Sequence, residues 1–214
     1  MKERRHGATV GMNLIKRGRM LLILLFLGAC VSPQADVGDL YEAFWRAVDT
    51  ADASLAQRTL QELREGPIDP HDEYAALRLE VHILTAMAQY AEAVRVMQNY
   101  EGEVEDASEF ALARGLVAEM ADLDGTDHFA QMWRLAESKP RGSLDEIEAG
   151  RLLYVAVILN RTDSELVAAV LESEVSDAPE ILNHFRSLEA ESRERLIFEA
   201  PVLFVAGYPW LAAQ

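Results

Sequence analysis

The chain has 214 residues, half of them apolar, and 36 acidic side chains against 20 basic ones give it a formal charge of −16. That apolar content excludes general disorder, and the length suits one domain or a single array of repeats around a buried core. The acidic balance argues against nucleic acid as a partner, because phosphates would be repelled over the whole surface, and a single cysteine excludes an internal disulfide.

Six of the basic residues (Lys2, Arg4, Arg5, Lys16, Arg17, Arg19) precede an unbroken apolar run from Met20 to Leu27, followed by Gly28, Ala29 and Cys30. A basic flank, a short apolar stretch and small residues before a cleavage point predict a secretory signal over residues 1–29, with Met12 as an alternative start. The run is too short to span a hydrocarbon core of about 30 Å, which takes roughly 20 helical residues. Leu27-Gly28-Ala29-Cys30 resembles the lipobox of bacterial lipoproteins. The resemblance implies that Cys30 carries a diacylglyceryl group, that the signal is cut before it, and that the new amino terminus is acylated. Two or three acyl chains anchor stably where one is marginal. The absence of Asp at position 31 implies, by the same analogy, the periplasmic face of a Gram-negative outer membrane. Beyond residue 29 there remain 35 acidic and 14 basic side chains, so lipid rather than charge must hold the body to anionic headgroups. Residues 30–38 read as a lipidated tether.

From residue 39 to residue 199 the apolar spacing is helical throughout and predicts an all-α body of about nine helices. The first opens near Asp39, with Leu40, Phe44, Ala47 and Val48 on one face. A second opens near Asp52 and ends at Gly66-Pro67. The third starts at Asp72 and carries Leu77, Val81, Leu84 and Ala88; a fourth follows Gln89 and ends before Gly102. The fifth starts near Asp106 with Phe110, Leu116, Val117 and Met120. Gly125-Thr126 leads into a sixth, holding Phe129, Met132 and Trp133. After the break at Lys139-Pro140-Arg141-Gly142, Ser143 and Glu146 predict a capping box for a seventh helix bearing Ile147, Leu152, Val155, Ala156 and Leu159. Thr162 and Glu165 predict a second box for the eighth, and Asp177 with Pro179 opens the ninth.

Alternate helices begin near 39, 72, 106, 143 and 177, in steps of 33, 34, 37 and 34. Ala56, Ala93, Ala130 and Ala168 mark the second helix of each pair, where a small side chain lets two axes approach. A helix pair recurring at this period predicts an α-solenoid. Leu77, Tyr90, Ala93 and Met97, and less fully Leu40, Ala56 and Leu60, are similar to the tetratricopeptide-repeat consensus. The resemblance implies helix-turn-helix repeats, four pairs and a closing helix; the third pair matches poorly, and a non-repetitive bundle is the competing architecture. The segment 200–214 carries no charge but includes Val202, Leu203, Phe204, Val205, Tyr208, Trp210 and Leu211. It reads as a cover for the last helices or as a partner-binding strand.

Chemistry is sparsely signalled. No nucleophile elbow, Walker loop, dinucleotide turn or zinc-helix motif occurs, so no catalytic residue, cofactor or metal is assigned. His71, His82, His128 and His184 lack ligand spacing and read as surface or edge residues. Asp122-Leu-Asp124-Gly125-Thr126-Asp127 is similar to a calcium loop, but its glycine comes too early and Trp133 stands where a bidentate Glu belongs. If the solenoid forms, helical spacing puts Tyr41, Trp45, Arg78, His82, Glu119 and Asn160 towards its inner face as partner-binding candidates; Tyr41 and Trp45 alternatively pack on a neighbouring pair. These features predict a lipid-anchored envelope protein that acts as a scaffold or assembly factor for another protein or peptide. The alternative is a helical envelope enzyme or regulator acting on cell-wall polymer through carboxylates.

Overall fold

The structure is a computed structural model that describes residues 36–140, 143–173 and 177–199. Cys30, the signal, most of the tether and the 200–214 segment lie outside the described residues. Those described form ten α-helices and one 3-10 turn, with no strand among them.

The first pair is α1 (Val37–Thr50) and α2 (Ala53–Glu65). Asp36 caps α1 by accepting from the Gly38 N–H, so the helix opens two residues ahead of the expected Asp39 and takes up the end of the tether. Leu40, Phe44 and Ala47 are buried on its inner stripe, and Asp52 caps α2 as its position predicts. A 3-10 turn, Pro70–Asp72, precedes α3 (Glu73–Ala86), and α4 (Tyr90–Gln98) closes the second pair. The third comprises α5 (Ala107–Met120) and α6 (Thr126–Glu137), the fourth α7 (Glu146–Ile158) and the short α8 (Glu165–Leu171).

One turn recurs at the end of α1, α3, α5 and α7. Ala51, Ala88, Asp122 and Asn160 each adopt a left-handed backbone, with φ between 53° and 58°. Each time the following N–H reaches back five residues: Asp52 to the Ala47 carbonyl, Gln89 to Leu84, Leu123 to Ala118 and Arg161 to Ala156, over 2.7–2.9 Å. The left-handed residue itself donates to the carbonyl three positions back, completing a Schellman closure of the helix. None of the four is glycine, so each closure holds an L-residue where it is strained.

Several expectations need correction. The capping box of α7 uses Asp145 and Glu148, not Ser143 and Glu146, and α8 is capped by Ser164 rather than Thr162. This shift turns Ile147 outward, where it is 56% exposed. Ala88 sits in the turn rather than on the buried face of α3. The alanine register holds for Ala56 and Ala93, which are fully buried, and then slips. In α6 the buried position is Phe129 beside a half-buried Ala130, and in α8 it is Val167 beside an exposed Ala168. Close approach in the third pair comes instead from Gly115, where a Cβ would lie 2.5 Å from the Phe129 ring. The closing helix is two: α9 (Ala178–Glu191) and α10 (Arg193–Glu199), split at Ser192, whose hydroxyl accepts from the Arg195 N–H. α9 packs on α7, and α10 turns back against α9 and α5.

Two apolar cores result. One gathers α1 to α4, from Val37 to Met97; the other gathers α5 to α10, around Trp133, Tyr154 and Phe185. α5 belongs to both, giving Ala111, Leu112 and Leu116 to the second and Val117 to the first.

Candidate functional site

The first helices of the pairs lie beside one another, α1 touching α3 and α5 touching α7. Across them runs a charged network seated on helix starts. Asp106 caps α5 with one carboxylate oxygen, accepting from the Ser108 and Glu109 N–H groups at 3.0 and 2.9 Å. Its other oxygen accepts from Arg151 of α7 at 2.7 Å. Arg151 also lies 3.6 Å from Glu109, whose other oxygen takes Arg78 of α3 at 2.9 Å. Two cations and two carboxylates thus balance across α3, α5 and α7. Burial pushes the Asp106 carboxyl up, but the backbone donors and Arg151 together hold it below the usual carboxylate range.

Beside this network a cleft opens between α3 and α5. Leu77, Val81, Met97, Phe110, Ala113, Leu116, Val117 and Met120 make its apolar walls, with Tyr74, Arg78 and Glu109 among its polar borders. It encloses about 40 Å³, room for a few waters or one small side chain. His82 and Thr85 also face it, and Thr85 is satisfied by the Val81 and His82 carbonyls. His82 is not: it is 7% exposed and its Nδ1 has no hydrogen-bond partner. Burial, and secondarily the Arg78 charge, lowers its pKa to about 4, so the ring is neutral at ordinary pH. The ring of Phe44 stacks on it at 6.5 Å and Tyr41 meets it edge-on at 6.2 Å.

Of the six candidates on the first-helix face, the structure brings three together. Tyr41 is half-buried beside His82, its hydroxyl donating to the Ala75 carbonyl at 3.4 Å. Burial raises its pKa, with Arg78 opposing and Glu109 reinforcing that shift. Arg78 stands at the edge of the cleft. His82 is buried, which corrects the surface reading made for every histidine. Trp45 lies one residue from Phe44, packs on it at 5.2 Å and keeps 38% of its surface exposed. Glu119 is engaged elsewhere: it accepts from the Gly125 N–H at 3.2 Å and from Arg193 of α10 at 3.1 Å. Asn160 is past the end of α7, exposed in its left-handed turn. Helical spacing alone missed Tyr74, Glu109 and Arg151. Arg151 did carry a signal, being one cation inside the otherwise uncharged run from Ala149 to Leu159.

The acidic loop at Asp122 binds its own backbone: Asp124 accepts from the Thr126 N–H at 2.9 Å, and Glu119 holds Gly125. Among the described residues no group of three carboxylate, histidine or cysteine side chains is placed to hold a metal. Glu92, Asp106 and Asp124 are all shifted below their ordinary values, opposite to the direction a general acid needs. No helix among the described residues is long and apolar enough to cross a membrane.

Compared with known proteins, the chain matches no family model, and it has no significant match among curated proteins or solved structures.

Proposed function

We propose that this chain is a lipid-anchored envelope protein whose helix pairs stack as a tetratricopeptide-like solenoid and hold another envelope protein along their first helices, as a scaffold or assembly factor. The recurrence of one Schellman closure at residues 51, 88, 122 and 160 supports repetition. So do the contacts between α1 and α3 and between α5 and α7. The observation that carries the binding role is the α3–α5 cleft, apolar and bordered by Arg78, with a buried His82 nitrogen left without a partner. Native structures seldom leave such an atom unpaired unless something else supplies the bond. Trp45, packed on the Phe44 that stacks on His82, offers an exposed aromatic of the kind that anchors protein interfaces. The lipobox-like string ending at Cys30 supports the anchor and the outer-membrane placement.

The test is crosslinking in intact cells, followed by identification of the captured protein and its measurement with variants. Arg78→Ala and Trp45→Ala should each lower capture about tenfold, roughly 1.4 kcal/mol. Trp45→Ala should leave the melting temperature in place. Arg78→Ala also strips Glu109 of its 2.9 Å partner and lowers that temperature, so its capture is measured well below its own melting point. Capture unchanged in both variants refutes the assigned face. Cys30→Ser should move the protein from the membrane to the soluble fraction; continued attachment refutes the anchor.

A further inference from the structure

We propose that the α3–α5 cleft receives a single threonine side chain of the partner, its hydroxyl bonded to His82 Nδ1 and its methyl set against the apolar walls. The inference rests on reading the first-helix face as the binding face and names the chemistry which that face selects.

Size sets the first limit. The cleft encloses about 40 Å³, and at roughly 10–15 Å³ for each water-sized group it seats about three of them. A threonine side chain brings as many heavy atoms beyond Cα. Serine leaves a gap, and asparagine or anything larger does not enter.

Polarity sets the second. Leu77, Val81, Ala113, Leu116 and Val117 line the cleft and offer no hydrogen bond. Thr85 is engaged with its own helix, bonded to the Val81 and His82 carbonyls. His82 is more than nine-tenths buried and keeps Nδ1 unpaired. Helix α1 does not serve it, because the Phe44 ring that stacks on it has no polar atom and the Tyr41 hydroxyl donates to the Ala75 carbonyl. An ordered water needs about two to four polar partners, and the interior keeps this one nitrogen open. Water is held poorly there. A group with one polar atom and an apolar remainder matches the cleft better. A hydroxyl also suits either tautomer of the neutral ring, donating to a bare nitrogen or accepting from an N–H.

Charge complementarity sets the third. Arg78 and Glu109 neutralise each other at 2.9 Å on the border of the cleft. A charged tip would gain little from that balanced pair and would face apolar walls without a counter-ion. An uncharged tip disturbs neither.

The test takes the full chain carrying Cys30→Ser and titrates it, followed by NMR, with side-chain surrogates: ethanol for threonine, methanol for serine, acetamide for asparagine and acetate for aspartate. Ethanol should shift the His82 ring and the Met97 and Met120 methyls saturably. Methanol should bind about fourfold more weakly for its missing carbon, and acetamide and acetate should leave those resonances in place. His82→Phe keeps a ring against Phe44 and should weaken ethanol about fivefold. Shifts that do not saturate, or a ranking without ethanol first, overturn the proposal, and the ranking needs no variant. In intact cells, photo-methionine at Met97 and Met120 should crosslink to a threonine of the partner or to its immediate neighbour; a crosslinked segment without threonine overturns it. Trp45-dependent capture with no preference for ethanol defeats the threonine alone. Saturable ethanol binding with capture unchanged by Trp45→Ala and Arg78→Ala defeats the assigned face and leaves the selectivity of the cleft standing.

Discussion

Arg151 donates to Asp106 over 2.7 Å although 45 residues separate them in sequence. Arg151 is 6% exposed, and the carboxylate it reaches is the one that caps α5. One bond therefore fixes how α7 lies on α5 and also how α5 begins.

Removing the cation should be more damaging than a surface ion pair suggests. Arg151→Ala leaves one oxygen of Asp106 without its donor and takes the second cation from the mostly buried Glu109, which keeps Arg78 at 2.9 Å. A loss of about 2 kcal/mol is expected, read as a lower urea midpoint at unchanged slope. Arg151→Lys keeps the charge but not the fork that serves two carboxylates, and should recover only part of the loss.

The neutral state of His82 predicts a pH dependence. Its pKa is lowered to about 4 in the fold and returns to about 6.5 on unfolding. Between those values the unfolded chain binds a proton that the folded chain refuses, so stability falls as pH drops from about 6.5 to about 4 and is fully present above that window. The contribution lost across the window is of order 3 kcal/mol. Denaturation midpoints of wild type and His82→Gln, measured from pH 7 to pH 4, should show a steeper decline in wild type. Parallel curves would contradict the burial of this ring.

Gly115 and Phe129 predict a coupled pair. Gly115→Ala drives a methyl into the ring and should destabilise by about 1–3 kcal/mol despite its better helix propensity. Adding Phe129→Leu should return part of that loss, making the double variant more stable than the sum of the two changes. Thermal melts of the four proteins close the cycle.

The left-handed alanines predict a gain. Ala88→Gly relieves the strain of a Cβ at φ 54° and should stabilise by about 0.5 kcal/mol after the greater freedom of unfolded glycine is counted. The same change inside the helix, Ala75→Gly, should destabilise by about 1 kcal/mol. Opposite signs in urea titrations are the expected outcome.

Much of the fold could be read from local chemistry. Asp52 and Asp106 cap where a carboxylate followed by an apolar stripe predicts a start, and Leu40, Phe44 and Leu60 are buried on the stripes they imply. What failed was register. Asp145 and Ser143 are both competent caps two residues apart, and only packing on α5 and α9 selects one. Alanine is informative where it touches a neighbouring axis, as Ala56 does, and uninformative where bulk is needed, as beside Phe129. Of the residues around the cleft, spacing reached those on one helix and not their partners on others. Arg78 and His82 follow from spacing along one helix, but Glu109 and Arg151 join them only through contacts between helices distant in sequence. Ser192 was missed because a single serine inside the charged stretch from Glu191 to Arg195 does not announce that the chain reverses there.

α5 offers one flank to each of the two cores, and the Asp106 carboxylate at its tip bonds the second core's Arg151. Loss of order in the first half bares Val117 and loss in the second bares Ala111, Leu112 and Leu116, so disorder in either half costs the helix that both share. Heating should therefore produce a single calorimetric peak whose van't Hoff and measured enthalpies agree, not the staggered melting of an array whose units come apart one by one.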